Sequence, residues 1–206
     1  MFKQLVESFI TLLVVLDPIG SVPIFLIATV GLSPSDRRRV AFGGVLVAFA
    51  VLMIFLWCAQ YIFVQMHISV EAFRIAGGIV LFVFALQMIL SGHHQSGTRE
   101  QTRTVFEISV FPVAMPSIAG PGALLAVVLL TDYTRFTISE QIVTAGLTVV
   151  VLGTVLLALL LAEKIQHYLG TVGIMVITQV MGLILAAFAV QQILDGLVDK
   201  FAHIAH

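Results

Sequence analysis

Asp17 stands directly before a proline in an apolar stretch, Leu16-Asp17-Pro18-Ile19-Gly20-Ser21. A second proline-glycine break, Ala119-Gly120-Pro121-Gly122, interrupts another apolar stretch in the second half of the chain. Asp is a strong helix N-cap, because its carboxylate accepts from the next free backbone N–H groups. Pro suits the first helical position, where its missing N–H is not needed. Pro18 also disfavours helical geometry at Asp17, and Gly20 loosens the turn. The spacing therefore predicts a helix start inside a helix. Gly120-Pro121-Gly122 repeats the logic without a carboxylate, and Pro112 and Pro116 make the approach to it short or irregular.

Such starts have a definite chemistry. A helix N-terminus exposes unpaired N–H groups and about half a positive charge, which suits a carboxylate. The half-helix C-termini near Leu16 and Ile118 would present free carbonyls, which accept from an ammonium group. A small zwitterion matches both. The candidate ligand-binding residues are Asp17, Pro18, Ile19, Gly20 and Ser21 at the first break, and Ser117, Ala119, Gly120, Pro121, Gly122 and Ala123 at the second. Thr11 is a further hydroxyl nearby. Asp17 has three readings: a cap for its own half-helix, a partner for the ligand's amine, and a proton site coupled to transport. No bulky charged pocket is evident, so the ligand's side chain is expected to be small and neutral.

The elements that must hold these residues are membrane helices. Of 206 residues, 60% are hydrophobic and only 10% charged, against roughly 25% charged in soluble domains. Mean hydropathy is +1.12. A helical span needs about 20 apolar residues, which predicts six spans near 5–29, 40–64, 70–91, 107–131, 140–162 and 172–197. The first contains Glu7, Asp17 and Pro18 and lacks a basic leader with a small-residue cleavage site, so it reads as retained structure. Net charge is −1, with no basic excess for nucleic acid. Broken backbone at membrane depth is tolerated where it is packed in protein or lines a cavity. In transporters such breaks aim helix ends at the substrate.

Lys and Arg in short loops set orientation. Arg37, Arg38, Arg39, Arg99, Arg103 and Lys164 fall on one side, and Lys3, Arg74, Arg135 and Lys200 on the other. This predicts the loop with Arg37, Arg38 and Arg39 inside and both termini outside. Bland readings go to most other polar or small residues. Cys58 is expected to be a small core residue and Arg74 to snorkel to the outer interface. Trp57 and Tyr61 fit an interfacial belt. Gly77, Gly78 and Gly182 are expected at close helix contacts, and Gln87, Gln191 and Gln192 in interhelical hydrogen bonds. His93-His94, two adjacent loop histidines, make no metal site.

The halves resemble each other. The stretch from Gly77 to Gly92 aligns without gaps on Met181 to Gly196, with identities at Gly78 and Gly182, Phe84 and Phe188, Ala85 and Ala189, Gln87 and Gln191, Ile89 and Ile193, Leu90 and Leu194, and Gly92 and Gly196. Pro18 and Pro121 take equivalent places. The expected architecture is an all-α membrane protein of six transmembrane helices, built as two inverted three-helix repeats with helices 1 and 4 discontinuous. Residues 1–92 form the first repeat, 93–106 a cytoplasmic linker and 107–206 the second repeat. An inverted repeat places a site at the repeat interface.

At Leu16 to Phe25, Phe73-Arg74-Ile75-Ala76-Gly77-Gly78-Ile79, Pro112 to Ala123 and Val180-Met181-Gly182-Leu183-Ile184-Leu185, the chain resembles the MarC family of bacterial and archaeal membrane proteins, which includes SnatA-like neutral amino acid transporters. The resemblance implies a six-helix inner-membrane protein that moves small neutral amino acids such as glycine or alanine, with a proton or sodium as candidate coupling ion. Two positions depart from the family pattern: Asp17 where Asn is frequent, and Gln179 where a basic residue is common. The leading reading is a secondary transporter working by alternating access. An exporter of another metabolite or drug on the same scaffold is the alternative. A membrane enzyme is disfavoured, because the sequence has no His-Glu-x-x-His, no Ser-Lys or Asp-Asp pair at membrane depth and no cofactor motif. No catalytic residue, metal or cofactor is expected. A purely structural subunit is the remaining alternative.

Overall fold

Proline, glycine and hydropathy divide the chain into helices much as the spacing predicts. The computed structural model describes residues 2–90, 104–131 and 137–204, and all the regular elements among them are helical. His93-His94, Arg99, Arg103, Arg135 and most of the expected linker lie outside the described residues. In order, the elements are α1 (Phe2–Leu16), α2 (Ser21–Ala28), α3 (Pro34–Met66), α4 (Val70–Leu90), α5 (Val105–Ile108), a wide-turned segment Ser109–Ile118, α6 (Pro121–Leu129), α7 (Ile138–Leu160) and α8 (Ala162–Ile204). Five stretches are long and apolar enough to cross a membrane: Lys3–Ala28, Pro34–Met66, Val70–Leu90, Ile138–Leu160 and Val172–Phe201. A sixth arises if Val105–Ile118 and Pro121–Leu129, which meet at a bend of 57°, count as one.

Helix ends follow local chemistry. Ser33 caps α3, accepting from the Asp36 N–H at 3.2 Å, with Pro34 in the first turn. With 33 residues, α3 rises about 50 Å, well beyond a hydrocarbon core of roughly 30 Å. Its first turns, with Arg37, Arg38 and Arg39, therefore have length to project beyond the core. Thr104 with Glu107, and Thr137 with Glu140, form capping boxes for α5 and α7. The segment 109–118 leaves helical geometry at Phe111 (φ −137°, ψ 121°) and Met115 (φ −123°, ψ 126°). Each precedes a proline, Pro112 or Pro116, whose ring pushes the preceding residue towards extended backbone.

Two of the packing regions hold the breaks in place. Leu12, Leu16 and Val22 from α1 and α2, Leu52 and Leu56 from α3, Ile118, and Val155 and Leu159 from α7 form the main buried core. The second region is the antiparallel pair α4 and α8. A Cβ on Gly78 would lie 3.0 Å from the Ala189 carbonyl, on Gly182 3.2 Å from the Ala85 carbonyl, and on Gly196 3.1 Å from the Glu71 carbonyl. Positions 71, 78 and 85 thus meet 196, 189 and 182 at a seven-residue spacing on both helices. Small residues let the two backbones close up in the way membrane helices favour.

Several expectations need correction. Cys58 is exposed, because it lies on the outward side of α3 and not on the stripe of Leu52, Leu56 and Ala59. Arg74 does not snorkel freely: its guanidinium meets Asp199 at 3.1 Å and its side chain is mostly buried. Gln191 bonds within its own helix, to Asp195 at 2.7 Å. It is Gln179 that reaches across, to the Ile89 carbonyl at 3.5 Å. The expected loop near 162–172 is instead helical, kinked at Gly170 (φ 65°, ψ 173°). Only glycine adopts that backbone readily.

Candidate functional site

α1 ends at Leu16, where Asp17 takes a left-handed backbone (φ 43°). Asp and Asn tolerate this conformation better than other side-chain-bearing residues. Pro18, Ile19 and Gly20 then form a turn, and α2 begins at Ser21. The half-helix thus starts three residues later than the Asp-Pro pair suggests. The turn is tied to Asp17 throughout. The Gly20 N–H donates to Asp17 Oδ1 at 2.9 Å, and both the Ser21 N–H and the Ser21 hydroxyl donate to the Asp17 carbonyl at 3.1 Å. The first N–H groups of α2 are therefore spent inside their own turn, contrary to the expectation that they stand free.

Only half of the Asp17 carboxylate is used in this way. The residue is 5% exposed, and its second oxygen, Oδ2, is buried without a hydrogen-bond partner. Gly20 makes room for it: a Cβ there would fall 1.9 Å from Oδ2. An unpaired buried carboxylate oxygen is costly, so in a packed protein it points to a missing cationic or hydrogen-donating partner.

The second break is built differently. Gly120 is extended (φ −72°, ψ 175°) and gives α6 no side-chain cap, and Pro121 occupies the first turn. The Ala119 N–H reaches back to the Ala114 carbonyl at 2.8 Å. Gly122 and Ala123 carry N–H groups of the first turn, which an α-helix leaves without intrahelical partners. Gly120 has no room for a side chain, since a Cβ would lie 2.4 Å from the Pro116 carbonyl. Gly122 is closed in by Leu81 and Val15.

Both breaks line one cavity of about 20 Å³, room for roughly one water. Of the residues picked from sequence, Asp17, Gly20, Ser21, Ser117, Gly120, Pro121, Gly122 and Ala123 line it. Pro18, Ile19 and Ala119 do not: Ile19 is 44% exposed on the outside of its turn, and Ala119 is buried in the main core. Thr11, a turn and a half before the break, does not reach the cavity either. Sequence reasoning missed the apolar wall, made by Leu81, Phe84 and Met88 of α4 and Leu185 of α8, with Val15 and Ile24. The internal repeat carried a signal for two of these, because the alignment that pairs Gly78 with Gly182 also pairs Leu81 with Leu185. Among the described residues, no three His, Cys, Asp or Glu side chains gather as a metal site.

The model for "MarC family integral membrane protein" matches residues 2–201 of the chain. A UPF0056 membrane protein of Pyrococcus abyssi is 36% identical over 200 residues, covering 97% of this chain and 96% of that protein. A UPF0056 membrane protein of Methanocaldococcus jannaschii is 33% identical over 199 residues, covering 95% and 96%. YvbG of Bacillus subtilis, likewise a UPF0056 membrane protein, is 35% identical over 208 residues, covering 98% and 97%. No solved structure matches the chain.

Proposed function

The chain belongs to the MarC family of integral membrane proteins, and from that membership and the geometry at Asp17 we propose that it is a secondary transporter of small neutral amino acids. The observation that carries the reading is the pairing of opposite chemistries in one cavity. Asp17 Oδ2 is a buried acceptor with no partner, and the uncapped start of α6 lines the same space. An α-ammonium group on Asp17 and an α-carboxylate on the Gly122 and Ala123 N–H groups would satisfy both at once. The wall facing them, Leu81, Phe84, Met88 and Leu185, is apolar, which suits glycine or alanine and no charged side chain.

In this reading the stretches 3–28 and 105–129 are discontinuous membrane helices, and residues 1–92 and 107–206 are inverted repeats joined by a cytoplasmic linker. The support for the repeat is reciprocal packing: Gly78 lies against Ala189 and Ile193, while its repeat-mate Gly182 lies against Ala85 and Ile89, the mates of those residues. Exchange of equivalent contacts is what a two-fold axis between repeats produces. The protein would sit in the inner membrane with both termini outside. Glycine has five non-hydrogen atoms, so a space for about one water must widen to admit it. This conformation would be a closed one. A proton or sodium would be the coupling ion, with Asp17 as its candidate site.

The test is uptake and counterflow of labelled glycine and alanine in proteoliposomes, with wild type and Asp17→Asn side by side. The reading predicts saturable uptake competed by other small neutral amino acids. Folded protein that neither takes up nor exchanges either substrate would defeat it.

A further inference from the structure

A second cavity, of about 110 Å³, lies at one end of the bundle, where Phe25 of α2, Arg37 and Arg38 of α3, Leu159 near the end of α7 and Glu163 in the first turn of α8 meet. It is adjacent to the candidate site through α2: Ile24 lines the small cavity and Phe25 lines this one. Phe25 is 4% exposed and belongs to the main core. Arg37 closes the end. Its Nε donates to the Thr29 carbonyl just past α2 at 3.2 Å, and its guanidinium pairs with Glu163. One side chain thus ties the tail of the site-forming half-helix α2 to the head of α8, across the two halves of the chain.

We infer that the site opens towards the face bearing Arg37, with Phe25 as its inner plug and the Arg37–Glu163 pair as its outer latch. This rests on the transporter reading for its purpose, though not for its test. The two cross-half ion pairs differ in the way a latch and a fixed joint should. Glu163 is 65% exposed and Arg37 26%, so water screens the pair and it breaks at little cost. Arg74–Asp199 is more enclosed, at 13% and 34%, and it sits on the α4–α8 seam, where glycines hold the two backbones in contact. The chain also supplies a break between latch and seam. Gly170, with its glycine-only backbone and nothing within 4 Å of a Cβ position, separates the Glu163-bearing turns from the part of α8 that packs on α4. Glu163, exposed on a head of α8 that Ala162 anchors in the main core, can therefore release Arg37 while the seam stays closed. Once it does, Arg37 and the Thr29 carbonyl it holds are no longer tied to α8, and α2 can move with Phe25 and Ile24.

Access can be read without any transported substrate. In a Cys58→Ser background, Ser117→Cys places a thiol on the small cavity, and a membrane-impermeant thiol reagent is applied from each face in vesicles of both orientations. Glu163→Gln should raise labelling from the Arg37 face at least about fivefold and leave the other face unchanged. Phe25→Ala should raise it on the same face. Glu163→Asp, which keeps the charge, should stay near the parent rate. Arg74→Gln should raise labelling on neither face. The inference is overturned if Glu163→Gln and Phe25→Ala, both shown monodisperse and folded, label at the parent rate while a permeant reagent still reaches the introduced thiol in each. It is equally overturned if labelling rises alike from both faces. Absence of glycine uptake would leave these labelling rates intact, so the two readings fail separately.

Discussion

The two breaks look alike in sequence and do opposite things in space. At the first, the backbone is self-sufficient: Asp17 takes up the Gly20 and Ser21 N–H groups and leaves one carboxylate oxygen over. At the second there is no carboxylate and no cap, so the start of α6 keeps its N–H groups and its share of positive dipole. One break offers an acceptor and the other offers donors. Two identical breaks would make a site for an anion or for a cation. On the proposed reading, the difference between them is what would make a site for a molecule carrying both charges.

The sharpest way to break this comparison is to make the breaks more alike. Asp17→Asn keeps an oxygen for the Gly20 N–H and tolerates the left-handed backbone, so folding should survive. Loss of the charged partner should still lower glycine uptake by about tenfold to a hundredfold, measured as initial rates in proteoliposomes. An uptake rate within twofold of wild type would leave Asp17 a cap and nothing more. The next largest effect separates the two glycines. At Gly120 the obstacle to a side chain is the Pro116 backbone carbonyl, which cannot step aside, and Gly120→Ala should cost about 3 kcal/mol, read as a lowered thermal midpoint in detergent. At Gly20 the obstacle is the end of the Asp17 side chain. Gly20→Ala should cost less, about 1–2 kcal/mol, and adding Asp17→Gly should recover most of it. No such partner substitution should rescue Gly120→Ala. The smallest effect belongs to Ile19, which points away from the cavity: Ile19→Ala should change uptake by no more than about twofold.

What could be read from the sequence follows the same physics. Hydropathy and length placed the spans, because a helix that crosses lipid must be apolar for its whole run: the observed Val70–Leu90 and Ile138–Leu160 lie within two residues of expectation, while Pro34–Met66 starts six residues earlier, at its charged first turns. The breaks were legible because Pro and Gly punctuate backbone wherever they fall. The apolar wall was not. Phe84 and Met88 are apolar residues in an apolar helix, and in such a helix the side facing a cavity carries no different composition from the side facing lipid. The ion pairs were illegible for another reason: Arg37 and Glu163, like Arg74 and Asp199, meet only through tertiary packing. Gly170 falls between the spans that hydropathy predicts, since helix on both sides of a glycine with positive φ leaves no mark there.

The seam between α4 and α8 has a consequence for how the protein is made. The partner of Gly78 is Ala189 and the partner of Ala85 is Gly182, so α4 leaves the ribosome long before the surface it must meet. At roughly 5–20 residues per second, it waits in the bilayer for several seconds with Gly78 and Ala85 still without their partners. That delay is when a newly inserted chain is open to pairing with the wrong helix, its own or a neighbour's. An apolar flank with three contact points a heptad apart gives the late-arriving α8 a register to recognise when it comes.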